Sequence, residues 1–426
     1  MIRSVLPSTP FGIKHGCVLL FVVFRSTIDL HVRVSATNLT NIAIVIQHYP
    51  PFIAGSERQA ALLAGLIADQ FGKCTVLTTR FRSDLPPRSR EGNVIVRRLP
   101  TCRPRTLKLG VNLLCGFVYL LFFAPRYTLF HINNLSPFSL GALMAAKLWR
   151  RPVFLKIGSL GPNGDIAKTL KHPFGKVIWR AFRTADAFIA PTPVAERELR
   201  SQGVPSERIV VIPNALAPDW FEPAPAGLRA QARRELGLPD GPVVLFAGRL
   251  TALKGVRLLL EAWTRATART PATLLMIGDG PDRGWIENRL RATGLEDSVR
   301  LLGWQTDPRR YFLAADIFAF ASESETFGNV LAEAMASGLA IVSTPVGLAQ
   351  TWLQHGRNAL LSAPDVDAFA AELSQLLQNA ELRARIAATA CRDARERFAA
   401  PLILREYVTL FRQPIAAPGF QSTQGN

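Results

Sequence analysis

The chain has 426 residues and 48% of them are hydrophobic, which is enough for two α/β domains that each bury a core of their own. Its five cysteines show no C-x-x-C pair or metal-like spacing, and they favour a reduced, cytosolic protein over a disulfide scaffold. No stretch reaches the roughly 18 to 20 continuous apolar residues that a membrane-spanning helix requires.

The formal net charge of +18 belongs almost entirely to the first half of the chain. Residues 41–220 carry 24 basic and 10 acidic side chains, whereas residues 221–426 carry 22 and 21. A basic excess confined to one half predicts that this half approaches an anionic partner. A phospholipid surface, a diphosphate-linked acceptor and nucleic acid all meet that condition.

Residues 1–40 contain no clear α/β element. Their apolar run GCVLLFVVF, at 16–24, is too short to span a membrane. It resembles the core of a signal peptide, but no convincing small-residue cleavage site follows it. We therefore expect residues 1–40 to be a poorly ordered extension, or the product of a start codon placed too far upstream.

Strands alternate with helices in the rest of the first half, which predicts a parallel sheet covered on both faces. The predicted helix at 111–124 is an apolar run flanked by Arg103, Arg105, Lys108 and Arg126. This profile is typical of a buried helix or of one that lies in a membrane interface. The predicted strands are 41–49, 74–79, 93–99, 127–132, 152–157, 187–192 and 208–213, and the helices are 57–72, 111–124, 139–149, a long stretch through 184, and 194–202.

A second α/β series follows the segment FEPAPAGLRAQA, which contains Pro223, Pro225 and Gly227 and is predicted to be a linker. Its predicted strands are 242–248, 272–278, 299–303, 316–321, 340–345 and 358–363, and its helices are 255–267, 283–293, 308–314, the helix containing Glu333, 366–379 and 381–398. The predicted units are domains at 41–221 and 222–398, a helix at 399–412 that crosses back to the first domain, and a flexible tail at 413–426. Ligands of such sheets bind at the carboxyl ends of the strands, so the cleft between the two domains is the expected site.

Two cations follow a buried strand in the stretch FAGRLTALKG. Arg249 and Lys254 lie between the carboxyl end of that strand and the next helix, where a guanidinium and an ammonium group together suit a diphosphate. The loop is no Walker A motif, because G-x-x-x-x-G-K-[ST] is not present. Considered alone, the two cations could equally belong to a solvated surface loop.

Two carboxylates flank a loop and helix start in SESETFGNVLAEAMASG. Glu325 lies in the loop and Glu333 in the helix, and eight helical residues would separate them by about 80 degrees, which argues against a paired acid and base. The N–H groups of Gly328, Asn329 and Val330 at the helix N-terminus suit phosphate oxygens, whereas carboxylates suit the vicinal hydroxyls of a sugar. Either glutamate alone could be a residue without a functional role.

Together these residues resemble the retaining glycosyltransferases of family 4, which have the GT-B fold. The second half contains the R-x4-K of GRLTALKG, MIGDGPD, VRLLGW, and the E-x7-E of ETFGNVLAEAMASGLAIVSTPVG. The first half agrees in order, with HYPPFIAGSERQ, FHINNLSPFSL, LKIGSLGPNGDI and GVPSERIVVIPNA. The resemblance covers about residues 41–412. It implies an α/β protein of two doubly wound Rossmann-like domains that face a central cleft.

The resemblance also implies roles for individual residues. Arg249 and Lys254 would bind the donor diphosphate, Glu333 would hold the nucleotide ribose, and Glu325 would contact the donor sugar. His131 matches a histidine near the reacting sugar, although residues 127–130 lack the family's usual acidic start, and a core histidine is the alternative. The implied catalytic residues are Arg249, Lys254, Glu325 and His131, and the implied donor-binding residues are Gly55, Gly248, Phe327, Gly328, Asn329, Val330 and Glu333.

The expected activity is transfer of a hexose or acetamido-hexose from a nucleotide-diphosphate sugar to a glycan or lipid-linked saccharide in surface polysaccharide biosynthesis. The resemblance implies retention by same-face attack, without a metal ion or other cofactor; Asp365-Val366-Asp367 is predicted to cap a helix. The expected location is the inner face of the cytoplasmic membrane, held peripherally by the basic half. Nucleic acid is not expected as a partner, because it leaves the two glutamates unexplained. The alternatives are a sugar-nucleotide epimerase and a non-catalytic two-domain sugar-binding protein.

Overall fold

The computed structural model describes residues 39–52, 54–102, 105–222 and 227–413, with the backbone alone at 105–109. The expectations for the extension through residue 38, for the tail from residue 414, and for the side chains of Arg103, Arg105 and Lys108 lie outside the described residues.

The first domain is built on an eight-stranded sheet. Its strands are β1 (Ile42–Val45), β2 (Cys74–Thr79), β3 (Arg88–Glu91), β4 (Val94–Leu99), β5 (Leu129–Asn133), β6 (Val153–Lys156), β7 (Ala187–Ala190) and β8 (Ile209–Val211). Their order in the sheet is β3-β4-β2-β1-β5-β6-β7-β8, and every pairing is parallel except that of β3 with β4. Its helices are α1 (Gly55–Phe71), α2 (Arg105–Phe123), α3 (Pro137–Leu148), α4 (Asp165–Leu170), α5 (Gly175–Phe182) and α6 (Pro193–Ser201).

The apolar helix α2 packs closely against α3. A Cβ atom added at Gly141 would lie 2.1 Å from the carbonyl oxygen of Leu113, so only glycine allows the two helices to approach this far. Leu120, a residue of α2, is fully buried in the core of the first domain. Within the described ranges, no helix is both long enough and apolar enough to cross a membrane.

The second domain contains a six-stranded parallel sheet. Its strands are β9 (Val243–Ala247), β10 (Thr273–Ile277), β11 (Val299–Gly303), β12 (Ile317–Phe320), β13 (Ala340–Ser343) and β14 (Leu360–Leu361). Their order in the sheet is β11-β10-β9-β12-β13-β14. Its helices are α7 (Leu228–Glu235), α8 (Val256–Ala266), α9 (Arg283–Thr293), α10 (Arg309–Ala314), α11 (Asn329–Ala336), α12 (Leu348–Trp352), α13 (Val366–Gln378) and α14 (Ala380–Phe398). Asp365 caps α13 by accepting hydrogen bonds from the N–H groups of Asp367 and Ala368, as predicted.

The predicted linker is partly wrong, because residues 228–235 form α7. This helix has little apolar surface, but Arg229 and Arg233 both pair with Asp316, the residue immediately before β12. Their guanidinium groups also donate to the carbonyl oxygens of Ala315 and Ala314. The helix is therefore stabilised by contacts with a distant segment, which local sequence does not reveal.

The long helical stretch predicted through residue 184 is instead two helices, α4 and α5. His172 and Pro173 separate them, and a residue before proline is disfavoured in a helix. A Cβ atom at Gly175 would lie 2.4 Å from the carbonyl oxygen of Thr169, so the second helix begins tightly against the end of the first.

The last helix, α15 (Ala400–Arg412), packs on the first sheet. Its path is fixed at the start, where Leu216 donates to the carbonyl oxygen of Phe398 and accepts from the N–H of Ala400. Further along, the rings of Tyr407 and Phe411 cover β5 and β6. The chain thus returns from the second domain to the first, where α15 packs against the sheet.

Candidate active site

A cleft of about 610 Å³ lies between the two domains. Its lining residues follow β1, β5 and β6 on one side and β9 and β12 on the other. Both sheets therefore present the carboxyl ends of their strands to the same space, where ligands of open α/β sheets bind.

The loop after β9 brings two cations to the second-domain wall. Arg249 is exposed and Lys254 is half-buried, and both line the cleft beside Gly248. The loop ends at Gly255, whose φ of 67° is left-handed and whose added Cβ atom would lie 1.8 Å from the carbonyl oxygen of Ala321. Glycine is required there, and it holds this loop against the end of β12.

Glu325 lies in the loop after β12 and forms an ion pair with Lys254. Ser322 donates a second, longer hydrogen bond of 3.3 Å to the same carboxylate oxygen, Oε1. Only 13% of the Glu325 side chain is exposed, so this carboxylate is held in a defined position at the edge of the cleft.

The N-terminus of α11 lies next to Glu325. Phe327, Gly328, Asn329 and Val330 all line the cleft, and Gly328 takes a φ of 90° immediately before the helix begins. The first N–H groups of a helix have no partner within it and carry partial positive charge. This end of α11 can therefore accept an anion beside the two cations.

Glu333 lies deeper, in α11, and is not at the cleft surface. It is only 6% exposed, and burial raises the pKa of its carboxyl group to about 7. Nη1 of Arg58, in α1, lies 3.4 Å from Oε1 of Glu333. The positive charge of Arg58 lowers the pKa of Glu333 and so offsets part of the effect of burial. The ion pair crosses from the first domain to the second.

Asn329 also joins the two domains. Its Oδ1 accepts a hydrogen bond of 2.8 Å from Asn214, and its Nδ2 donates over 3.4 Å to the carbonyl oxygen of Gly55. A Cβ atom at Gly55 would lie 3.0 Å from Nδ2, so a larger residue would push this contact apart. Gly55 thus permits close approach of α1 to α11.

His131 does not reach the cleft. It is fully buried in β5, with the rings of Tyr407 and Phe411 at 5.4 and 6.3 Å from its own. Burial, together with the charge on Lys156, lowers its pKa to about 3, so the imidazole is neutral. The structure places it in the core beneath α15, where it cannot touch a ligand in the cleft.

Other first-domain residues occupy the position that sequence reasoning gave to His131. Asn133 ends β5, Asn134 follows it with a left-handed φ of 64°, and Lys156 ends β6; all three line the cleft. The sequence could have indicated these residues by their position, because the last residue of a buried parallel strand is the one that faces the crevice. A histidine two positions earlier was the more conspicuous residue but lies too deep.

Within the part of the chain that the structure describes, no group of three or more His, Cys, Asp or Glu side chains could hold a metal ion. The charged groups at the cleft are instead two cations and one carboxylate on the second domain and Lys156 on the first.

The cleft and the two facing sheets define the class of protein, and family comparison agrees. Residues 54–215 match the model of the glycosyl transferase 4-like domain, and residues 241–379 match that of the glycosyl transferases group 1. Together the two models cover well over half of the chain. The protein therefore belongs to the group 1 glycosyltransferases, and its fold is GT-B.

Individual relatives match only part of the chain, at 32% and 34% identity. The lipopolysaccharide core biosynthesis glycosyltransferase LpsE of Rhizobium meliloti is 32% identical over 209 residues, which are 48% of this chain and 58% of that protein. The D-inositol 3-phosphate glycosyltransferase of Xylanimonas cellulosilytica is 34% identical over 277 residues, or 60% of this chain and 64% of that protein. The matched region thus spans less than two thirds of either relative.

A solved structure matches over a greater length. HepE of Anabaena, in complex with UDP, has a TM-score of 0.72 and 21% sequence identity, and the match covers 87% of this chain and 99% of HepE. At this identity the similarity establishes the fold.

Proposed function

We propose that the protein transfers a hexose or acetamido-hexose from a nucleotide-diphosphate sugar to a glycan or lipid-linked saccharide. The observation that carries the proposal is that Arg249, Lys254 and the N-terminus of α11 all line the same wall of the cleft. Three sources of positive charge in so small a space suit a diphosphate. Glu325 would accept hydrogen bonds from the attached sugar.

The donor would bind through groups that already have defined positions. Lys254 gives one N–H to Glu325 and has two others for phosphate oxygens, because an ammonium group has three donors. Arg249 can grip two phosphate oxygens at once. Glu333 would hold the ribose from within α11, where its carboxylate is screened from water.

The reaction would proceed by attack of the acceptor hydroxyl on the same face that the diphosphate leaves. In this step the new glycosidic bond forms, the bond from sugar to phosphate breaks, and a leaving phosphate oxygen takes the hydroxyl proton. Arg249 and Lys254 would offset the charge that develops on the phosphate, so preorganised electrostatics supplies most of the acceleration. The proposal needs no metal ion or other cofactor, and turnover should persist in excess EDTA.

The comparisons support the choice of ligands to try first. HepE was solved with UDP, and the name of LpsE refers to lipopolysaccharide core biosynthesis. We therefore propose a UDP-sugar as the first donor to test and a surface saccharide as the acceptor, with GDP- and ADP-sugars as the next donors.

The experiment offers radiolabelled UDP-, GDP- and ADP-sugars to the purified protein, with and without a membrane lipid extract. We expect one donor to be turned over, and Arg249→Ala to abolish its binding. Arg257→Ala is the matched control, since Arg257 is an exposed arginine of α8 that pairs with Asp282 and stacks on Trp285 away from the cleft.

Three results would contradict the proposal. Interconversion of donor sugars without transfer would indicate an epimerase, and sugar affinity without turnover would indicate a binding protein. Equal effects of Arg249→Ala and Arg257→Ala on nucleotide binding would remove the diphosphate site. For the stereochemistry, NMR of the product anomer distinguishes retention from inversion.

We further propose that α2 holds the protein on the inner face of the cytoplasmic membrane. Leu114, Val118 and Phe122 lie four residues apart and therefore on one side of this helix, and they are 57%, 40% and 71% exposed. Arg126, immediately after the helix, places its guanidinium over Phe123, and the first half of the chain has a strong basic excess. Apolar side chains beside cations favour an anionic lipid surface.

Cosedimentation with lipid vesicles tests this location. We expect retention on anionic vesicles that weakens at high salt, and no comparable retention on DNA. Serine at Leu114, Val118 and Phe122 together should abolish it. Trp304→Ser is the control, because Trp304 is an equally exposed apolar residue of the second domain. Retention that survives the triple substitution would exclude α2 as the contact.

A further inference from the structure

Lys156 is a buried cation at the first-domain wall of the cleft. It ends β6 and lines the cleft, yet it is only 8% exposed. Its Nζ donates a hydrogen bond of 3.0 Å to the hydroxyl oxygen of Tyr407 in α15. Because an ammonium group has three N–H donors, two remain for other partners.

The surroundings of Lys156 supply no compensating negative charge. Among the described residues no Asp or Glu pairs with it, and burial lowers its pKa to about 7. His131 beside it is neutral, and burial raises the pKa of the Tyr407 hydroxyl, so that group is neutral as well. Glu406, the acidic neighbour on α15, is exposed, its pKa is raised by partial desolvation, and it forms no ion pair with Lys156.

The rest of this wall is uncharged and mixes polar with apolar side chains. Asn133, Asn134, Ser159 and Asn163 present amides and a hydroxyl, which suit sugar hydroxyls. Lys156 is the one charged side chain that the described first-domain residues contribute to the cleft lining. It is also separate in the fold from Arg249 and Lys254, which belong to the opposite wall.

We propose that Lys156 binds an anionic group, a carboxylate or a phosphate, carried by the saccharide acceptor. The proposal rests on the proposed function, which assigns the donor to the second domain and leaves the first domain to the acceptor. Tyr407 positions the ammonium by holding one of its N–H groups. An acceptor that carries a uronic acid or a sugar phosphate would thereby be preferred over a neutral one.

The proposal has a direct electrostatic consequence. An anion beside a buried ammonium favours its charged form, so binding should raise the pKa of Lys156 towards its ordinary value and take up a proton. A neutral sugar should leave that pKa unchanged. The change of pKa is measurable without knowing the natural acceptor and without any turnover.

NMR of protein labelled with ¹³C at the lysine Cε atoms provides the measurement. The chain has nine lysines, and Lys156→Met and Lys254→Met assign the two relevant signals. The protein is first saturated with UDP and then titrated with methyl glucoside, methyl glucuronide or glucose 6-phosphate across pH 6 to 10. Lys147, which pairs with Asp186, serves as the internal control.

We expect UDP to shift the signal of Lys254 and the anionic sugars to raise the titration midpoint of Lys156 by about one unit or more. Methyl glucoside should leave it in place, and the stronger of the two anionic probes identifies carboxylate or phosphate. Lys156→Met should weaken the anionic probes about tenfold or more, Lys156→Arg should retain part of their affinity, and UDP affinity should not change.

Each opposite result has its own meaning. If neither anionic sugar moves the midpoint while UDP still shifts Lys254, the acceptor assignment is wrong and the proposed function stands. If UDP alone produces the full change at Lys156, this lysine belongs to the donor site and the inference is overturned. If UDP, GDP and ADP all leave Lys254 unchanged, the proposed function fails and takes the acceptor assignment with it.

Discussion

Glu325 and Glu333 belong to one short stretch of sequence, but their environments differ. Glu325 lies at the cleft edge and pairs with Lys254, a residue of the same domain. Glu333 is buried within α11 and pairs with Arg58 of the other domain. On the proposed function, Glu325 would touch the donor sugar at the cleft edge, whereas Glu333 would accept hydrogen bonds from the ribose at a more buried position.

This difference predicts different kinetic defects. Glu325→Ala should lower kcat about 10- to 100-fold with little change in donor Kd, because its contact with the sugar and with Lys254 acts in the transition state. Glu333→Ala should raise donor Kd about tenfold and leave kcat nearly unchanged. Single-turnover kinetics and nucleotide binding measure the two quantities, and identical defects in both variants would contradict this division of roles.

The protonation of Glu333 predicts a dependence of stability on pH. Its pKa is raised by burial from 4.5 to about 7, so between these values the folded state holds a proton that the unfolded chain has released. Its contribution to the free energy of unfolding is therefore full below pH 4.5 and is lost as pH rises through 7. Glu333→Gln should remove this fall, which thermal unfolding from pH 4.5 to 7.5 measures.

The quantity to compare is the difference in stability between the wild type and Glu333→Gln at each pH. The pKa of His131 is lowered, so in the lower part of the same range it makes stability rise with pH and opposes Glu333. Subtracting the curve of Glu333→Gln from that of the wild type removes the contribution of His131. A difference curve that is flat from pH 4.5 to 7.5 would contradict a raised pKa at Glu333.

At the scale of elements, the loop from β12 to α11 is held in place by α12. Gly347 precedes α12 with a φ of 57°, and its added Cβ atom would lie 2.5 Å from the carbonyl oxygen of Phe327 and 2.9 Å from Cβ of Glu325. The next residue, Leu348, donates a hydrogen bond of 2.7 Å to the same oxygen. The position of Glu325 therefore depends on a glycine that never touches the cleft.

Gly347→Ala should displace this loop and reduce transfer by about tenfold or more, because small displacements of reacting groups are costly. Gly356→Ala is the matched control, since Gly356 also has a left-handed φ of 75° but open space around the position of a Cβ atom. The measurements are kcat/KM and the melting temperature. Equal losses of activity in both variants would mean that backbone strain, rather than the contact with Phe327, is responsible.

The sequence was most informative about elements in which apolar residues recur at the spacing of a strand or a helix. The strands 74–79 and 299–303 and the helix 283–293 have the predicted bounds. Two of the elements that the sequence did not predict are polar: β3, with the sequence RSRE, is an edge strand defined by its pairing with β4, and α7 is defined by the ion pairs to Asp316. Neither element has a hydrophobic period, because neither buries an apolar face of its own.

At the scale of the whole molecule, the residues proposed to bind the donor are also where the domains meet. Asn214 bonds to Asn329, Thr192 donates to the carbonyl oxygen of Thr326, and Arg58 pairs with Glu333. The sequence indicated the second-domain members of this set, because they follow strands in a recognisable order. Their first-domain partners lie more than a hundred positions away in the chain, and no local pattern connects them.

Arg58 links the contact between the domains to the charge of the proposed donor site. It is 39% exposed, so its ion pair with Glu333 is partly screened and worth only a modest amount. Its charge nevertheless lowers the pKa of Glu333, against the effect of burial. Without it, a smaller fraction of Glu333 is ionised near neutral pH, and an ionised carboxylate accepts the stronger hydrogen bonds from ribose hydroxyls.

Arg58→Gln should therefore weaken donor binding about two- to fivefold at pH 7, and the loss should shrink as pH rises towards 9, where Glu333 is ionised in both proteins. Arg200→Gln is the control, because Arg200 forms its ion pair with Glu196 within α6 and does not line the cleft. Calorimetric titration with the donor nucleotide at pH 6, 7, 8 and 9 gives the affinities. A loss that is the same at every pH would show that Arg58 holds the domains together without controlling the charge of Glu333.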